Sequence, residues 1–254
     1  MRLDTLVGFL DEYLRIAEEK ADAPEALNGL QVSNSGNVSR LAAAVDLCEA
    51  TIRQATEAHA DFLLVHHGMF WGGGGGPRPF VGPAYARIAG LIKGNIALYA
   101  AHLPLDRHPE VGNNRVLARL LGIKVRDDFG SYHGAPAGVW GEYSGTRDEL
   151  SWALTRALGT APRVLAFGPE RVQRIGIITG SGGSMIPQAA AAGLDTFVTG
   201  EGQHWTFFDA EELRINVFYA GHYATETVGV KSLAEQLSKK FDLPWVFLDH
   251  PTGL

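Results

Sequence analysis

A chain of 254 residues that is 46% apolar and 20% charged can bury the core of one large domain or two ordinary ones, and its composition is not that of a disordered chain. Its net charge of −6, with no basic cluster, argues against a nucleic-acid or membrane-surface partner but leaves a small phosphorylated molecule open. The single cysteine, Cys48, excludes an internal disulfide and lies outside any Cys/His cluster, so it reads as a buried, inert thiol.

The opening Met1-Arg2-Leu3-Asp4 lacks the basic and apolar regions of a signal peptide, and no apolar stretch approaches a membrane span; a cytoplasmic setting is expected. Residues 4–20 carry Leu6, Phe9, Leu10, Tyr13, Leu14 and Ile16 at helical spacing, with Asp4 or Thr5 as the cap. Residues 21–37, with Pro24, Asn28-Gly29 and Asn34-Ser35-Gly36, read as loop, in which 28–32 is either a short strand or a lip over a site.

From residue 40 the chain alternates. Strands are expected at 41–45, 62–65 and 96–101, and helices at 46–58, 83–93 and 113–121. Alternation of this length implies βαβ units and a parallel sheet. The run Gly72 to Gly76 followed by Pro77 matches neither phosphate-binding glycine pattern and reads as a flexible loop. Residues 124–170 read as a connector with short strands and a helix at 148–158. The alternation then restarts, with strands at 174–178, 196–199, 217–220 and 245–248 and helices at 184–192, 205–213 and 225–239.

The stretch Phe62-Leu63-Leu64-Val65-His66-His67-Gly68 stands out, because a buried strand ends in two imidazoles where open α/β sheets place their ligands. Two further strands end near a histidine followed by an acid four residues on: His102 with Asp106, and His222 with Glu226. Together with the likeness of residues 58–65 to 192–198, this suggests duplication of an α/β unit and two related domains, 1–125 and 126–254, with the C-terminal helix and strand free to pack back on the first.

Four-residue spacing places His222 and Glu226 on one helical face, whereas Pro104 argues that Asp106 reaches its site from a loop. Taken singly, each of these residues has a structural explanation: a cap, a first-turn acid, a strand-end histidine bonded to backbone. Jointly, His66, His67, His102, Asp106, His222 and Glu226 make a mixed imidazole–carboxylate set without thiolates, which suits a divalent transition metal and not a structural zinc site. Six candidates exceed the needs of one tetrahedral ion and favour two ions. His59, His108, His133, His204 and His250 follow no such pattern and read as surface groups, with His133 and His204 as weaker candidates. The turn Thr179 to Ser184 either binds an anion through Gly182, Gly183 and Ser184 or is a tight turn that needs glycine. Glu201 is placed to hold a histidine tautomer.

With these residues assembled, the chain resembles the Nif-three-like family, also known as GTP cyclohydrolase I type 2-like proteins. The resemblance spans nearly the whole chain through Asn28-Gly29-Leu30-Gln31, His66-His67, residues 101–106, Gly112-Asn113-Asn114, Thr199-Gly200-Glu201 and residues 221–226. It implies two interlinked, duplicated α/β domains with a dinuclear metal site in the cleft between them. Ligands would be His66, His67, Asp106, His222 and Glu226, with Glu226 bridging and His102 in the coordination sphere or just behind it as a proton shuttle. It implies two divalent ions per chain (Zn, Fe, Mn, Co or Ni) and a ring-shaped homohexamer, a trimer of dimers. Leu103, where related sequences often have Thr, is a departure that touches hydrogen bonding and not ligation.

Two functions follow. One is a metal-dependent hydrolase of a small molecule, with GTP ring opening and formate release as the reaction the resemblance implies, and another nucleotide or a phosphoester as the alternative substrate. No Lys/Arg cluster is evident to meet a triphosphate, only scattered arginines such as Arg78, Arg87, Arg107 and Arg115. The other is a metal-binding, ring-shaped regulatory or interaction protein.

Overall fold

The computed structural model describes residues 1–18, 22–23, 26–70 and 79–254. The glycine run 72–76 with Pro77, Arg78 and Pro24 lie outside the described residues. The chain is a mixed α/β protein with two sheets, dividing into two units: Met1–Leu105 with Val230–His250, and Asp106–Gly229 with Pro251–Leu254.

The first unit opens with helix α1 (Leu3–Tyr13), shorter than the apolar spacing suggests. The chain leaves the helix at Arg15, which has φ 53°, and makes a tight turn at Ile16–Glu18. The N-cap is Arg2 and makes no side-chain cap bond, so neither Asp4 nor Thr5 caps the helix. Gly29–Val32 forms strand β1 and not a loop, pairing antiparallel with β4 (Ala97–Ala100). Strands β2 (Leu41–Asp46) and β3 (Phe62–His67) and the C-terminal β11 (Trp245–Phe247) complete a sheet ordered β1-β4-β3-β2-β11, parallel except for β1.

Strand β3 is buried on both faces, as its unbroken apolar run requires. Leu63 and Val65 join one core cluster with Leu91, Ile96 and Leu98, while Phe62 and Tyr99 stack with ring centroids 6.2 Å apart. Helices α2 (Glu49–Glu57) and α3 (Pro83–Lys93) connect the strands. Cys48 is half-buried and not a core thiol: its Sγ accepts from the Thr51 N–H at 3.5 Å and caps α2. Its thiol and Thr51 form a reciprocal capping box, an arrangement worth about 1 kcal/mol. Asp46 therefore ends a strand and does not start the helix.

A one-turn helix α4 (Leu103–Asp106) follows β4, so Asp106 ends a helical turn and not a loop. Pro104 fits because it sits in the first turn, where its missing N–H has no partner to lose.

The second unit continues with α5 (Asn113–Leu120) and then a long hairpin, β5 (Lys124–Tyr132) and β6 (Ala135–Thr146), where the sequence suggested a connector. Its two-residue turn, His133-Gly134, has φ 50° and 84°, as a turn that follows strand twist requires. His133 is thus an exposed turn residue. Helix α6 (Arg147–Leu158) starts on a Thr146/Glu149 capping box. Strands β7 (Arg163–Ala166), β8 (Arg171–Ile178), β9 (Thr196–Thr199) and β10 (Asn216–Tyr219) join the hairpin in the order β5-β6-β8-β9-β10-β7. Only β8, β9 and β10 run parallel. Helices α7 (Ile186–Ala191) and α8 (Thr206–Glu212) belong to this unit, and α9 (His222–Phe241) begins in it and leads to β11. Val139, Ile175, Ile177, Val198 and Phe218 form one core cluster of this unit, and Phe129, Phe197, Ile215 and Val217 belong to another. Among the described residues, no helix is long and apolar enough to cross a membrane.

Candidate metal centre

In the first unit, β3 and β4 are parallel neighbours, and His66, His67 and His102 gather at their C-terminal ends. Ring centroids are 4.7 Å apart for His66 and His67, 5.0 Å for His66 and His102, and 5.6 Å for His67 and His102. Consecutive strand residues normally face apart. The strand ends at His67, which releases the second ring toward the first. Gly68 serves here through space: a Cβ would lie 2.5 Å from Gln31 Nε2 and 2.6 Å from Ala100 Cβ. The Gln31 amide it admits accepts from Met69 N–H at 2.7 Å and donates to the Leu27 carbonyl at 2.6 Å.

Each ring is oriented through Nδ1. His66, 1% exposed, donates from Nδ1 to the Ala101 carbonyl at 2.8 Å. His67 Nδ1 meets Asp46 Oδ1 at 2.8 Å, and β2–β3 pairing sets Asp46 directly beside it. His102 Nδ1 meets Asp22 Oδ1 at 2.6 Å. A carbonyl or carboxylate only accepts, so in the neutral rings Nδ1 carries the proton and Nε2 keeps the lone pair. Each of the three histidines offers a ring nitrogen within 4.8 Å of those of the other two, a span that one metal ion can bridge.

Asp22 is itself held in place. Its oxygens also accept from Ala23 N–H at 2.6 Å, Asn28 Nδ2 at 2.7 Å and Leu103 N–H at 3.2 Å. Burial pushes its carboxyl up, but hydrogen bonding and charge from His102, with Asn28 and Ala23 adding, hold it below the usual carboxylate range.

In the second unit, His222 begins α9 and Glu226 lies one turn on, 3% exposed. His222 Nε2 is 3.2 Å from Glu226 Oε1, and its Nδ1 donates to Glu201 Oε1 at 2.9 Å. Burial lowers the His222 pKa, but the bonds and charges of Glu226 and then Glu201 outweigh it and raise it to about 9. Gly180, at φ 68°, is packed so that a Cβ would collide with Glu226 Oε1. A Cβ at Gly200 would lie 2.7 Å from His222 Cα.

Asp106, 6% exposed, accepts from Asn113 Nδ2 at 2.7 Å and from Thr179 Oγ1 at 3.4 Å. Asn113 Oδ1 in turn accepts from the Gly229 N–H of α9 at 2.7 Å, and Asn114 Oδ1 accepts from Thr179 N–H at 2.9 Å. Asp106 and Glu226 therefore approach consecutive residues, Thr179 and Gly180, of one strand-to-helix turn.

The amides of Gly182 and Gly183 are spent internally. Gly182 donates to Thr199 Oγ1 at 2.9 Å and Gly183 to the Glu201 carbonyl at 3.0 Å, as in a tight turn. His108 is buried and not a surface group, its Nδ1 accepting from Glu110 and Val111 N–H at 3.2 and 3.3 Å. His204 is exposed and packs edge-on to Phe208. Sequence reasoning missed Asp22 and Asp46. Asp46 was findable, since it ends the strand beside the one that ends in His67. Asp22 sits in a loop with no periodic signal.

These features define a mixed α/β protein with histidine and carboxylate groups able to hold a metal. The chain belongs to the Duf34/NIF3 (NGG1p interacting factor 3) family, which it matches over residues 1–252. It is 43% identical to a Deinococcus radiodurans protein named GTP cyclohydrolase 1 type 2 homolog, over 99% of this chain and 94% of the relative. A Pyrococcus horikoshii protein of the same name is 42% identical over the full length of both. Among solved structures, TTHA1606 from Thermus thermophilus superposes with a TM-score of 0.90 at 45% identity, covering all of both chains. Reduced HcgD from Methanocaldococcus jannaschii gives 0.83 at 26% identity, covering 98% of each.

Proposed function

We propose that this protein is a metal-dependent hydrolase whose two side-chain clusters are the halves of one dinuclear centre. Ligands are His66, His67, Asp106, His222 and Glu226, with Glu226 as the bridge. The observation that carries the reading is the common orientation of His66, His67 and His102, each with Nδ1 on an acceptor, which puts the lone pair of the neutral ring on Nε2. Glu226, buried, and the partly exposed His222 beside it add a carboxylate and a fourth imidazole. The donor set fits Zn, Fe, Mn, Co or Ni.

Bound, two such ions supply Lewis acidity and a water that ionises near neutral pH. The chain's own residues do the rest. Asp46 and Glu201 fix the rings of His67 and His222, and Asp22 keeps His102 Nε2 ready to take and return a proton. The relatives' name, GTP cyclohydrolase 1 type 2 homolog, supports a small-molecule substrate, and within this reading the reaction is GTP ring opening with formate release. Duplication of the α/β unit, domains meeting at a cleft, a homohexameric ring and a cytoplasmic setting belong to the same reading.

The test is a screen of the metal-loaded protein against GTP, other nucleotides and phosphoesters, repeated with His66→Ala. Turnover lost in the variant is expected. No turnover of any of them, or turnover indifferent to His66→Ala, would remove the hydrolase and leave a metal-binding scaffold.

A further inference from the structure

A cavity of about 660 Å³ opens in the second unit, lined by Arg163, Leu165, Glu201, Phe207, Phe208 and Tyr219 among others. Its size falls in the range of small-molecule sites. Its base is set by strand pairing. Tyr219 of β10 lies beside Thr199 of β9 on one side and beside Arg163 of β7 on the other. Cross-strand neighbours share a face, and so does Leu165, two residues along β7.

Two strand spacings separate the end of β9 from the start of β7, roughly 10 Å at about 4.8 Å each. The chain runs from Thr199 to Glu201 at one end of that span, and Arg163 stands at the other. Arg163 is exposed, and its guanidinium makes no hydrogen bond or ion pair among the described residues. Glu201 spends Oε1 on His222 and keeps a side chain 42% exposed. Between them lie apolar and aromatic walls. Phe207 and Phe208 meet edge to face at 5.5 Å, and the Tyr219 hydroxyl is tied to Thr206 Oγ1 at 2.6 Å. Gly202 leaves room for that hydroxyl pair, since a Cβ there would sit 2.6 Å from Tyr219 Oη.

A carboxylate, an aromatic trough and an unpaired guanidinium in that order match a planar ring with N–H donors at one end and an anion at the other. We propose that this cavity binds the substrate, and that the substrate is by chemical class a nucleoside phosphate. Its base edge faces Glu201, its ring packs on Phe208 and Tyr219, and its phosphate meets Arg163. The inference rests on the metal-site reading above, because Glu201 both lines the cavity and orients the ligand His222.

The test uses the full-length protein as purified. Calorimetry with 7-deazaguanosine monophosphate, which lacks the ring nitrogen needed for hydrolytic opening, is compared with its unphosphorylated nucleoside. The wild type should bind the phosphate form about tenfold more tightly. Arg163→Gln should remove that difference and leave nucleoside binding unchanged, and Phe208→Ala should weaken both. No binding by the wild type, or a tenfold preference that survives Arg163→Gln, would overturn the proposal. Metal content measured on the same samples separates the two readings. Two ions per chain without an Arg163 effect rejects the cavity alone, whereas an intact Arg163 effect with less than one ion per chain rejects the dinuclear centre alone.

Discussion

Replacing Asp22 with asparagine exchanges one carboxylate oxygen for an amide donor where every neighbour is itself a donor. Oδ1 accepts from His102 Nδ1 and Ala23 N–H, and Oδ2 accepts from Asn28 Nδ2 and Leu103 N–H. Whichever way the new amide turns, its NH₂ faces two N–H groups. Two hydrogen bonds are lost, and any charge assistance on the bond to His102 goes with them. Asn28 cannot flip to compensate, because its Oδ1 already accepts from His102 N–H at 2.7 Å. The expected cost is about 2–4 kcal/mol, which for units of this size lowers Tm by roughly 5–15 °C. The more specific consequence is at His102, whose Nδ1–H tautomer loses its anchor. Nitrogen-15 NMR of the imidazole should show a single Nδ1–H form in the wild type and a mixture in Asp22→Asn. An unchanged Tm together with an unchanged His102 tautomer would refute the reasoning.

Three other outcomes are expected. Gly180→Ala combines a positive φ with a Cβ driven into Glu226, so it should cost about 1–3 kcal/mol and lower bound metal while circular dichroism keeps the wild-type shape; full metal content would contradict it. Tyr99 donates to Asp11 at 2.7 Å, and burial, then that bond and charge, push its pKa far above the usual phenol value. A raised folded-state pKa gives stability that is complete below the unfolded value near 10 and is lost as pH rises beyond it. Wild-type Tm should therefore drop above about pH 10, and Tyr99→Phe should drop less; parallel curves would count against this. Cys48→Ser keeps a cap acceptor for Thr51 N–H and should hold Tm within about 2 °C, whereas Cys48→Ala should lower it; equal Tm values for the two variants would show that the thiol does not cap α2.

Much of this was legible in the sequence because the signals are local. The Phe62–His67 run announces a buried strand ending in imidazoles, and His222 with Glu226 shares a helical face through spacing alone. What escaped depends on long-range pairing. The β5–β6 hairpin is half exposed, so its apolar alternation is weak, and β7 is four residues drawn into the sheet by β10. Helix α4 was hidden by a proline whose disfavour fades in a first turn. The Asp22–His102 contact joins residues eighty apart, and only the folded loop reveals it.

The most direct test of the central claim is metal content per chain, by plasma mass spectrometry, for the wild type and Glu226→Ala purified in parallel. The dinuclear reading predicts two ions per wild-type chain, falling towards zero in the variant. Fewer than one ion in the wild type, or the same content in both, would contradict it.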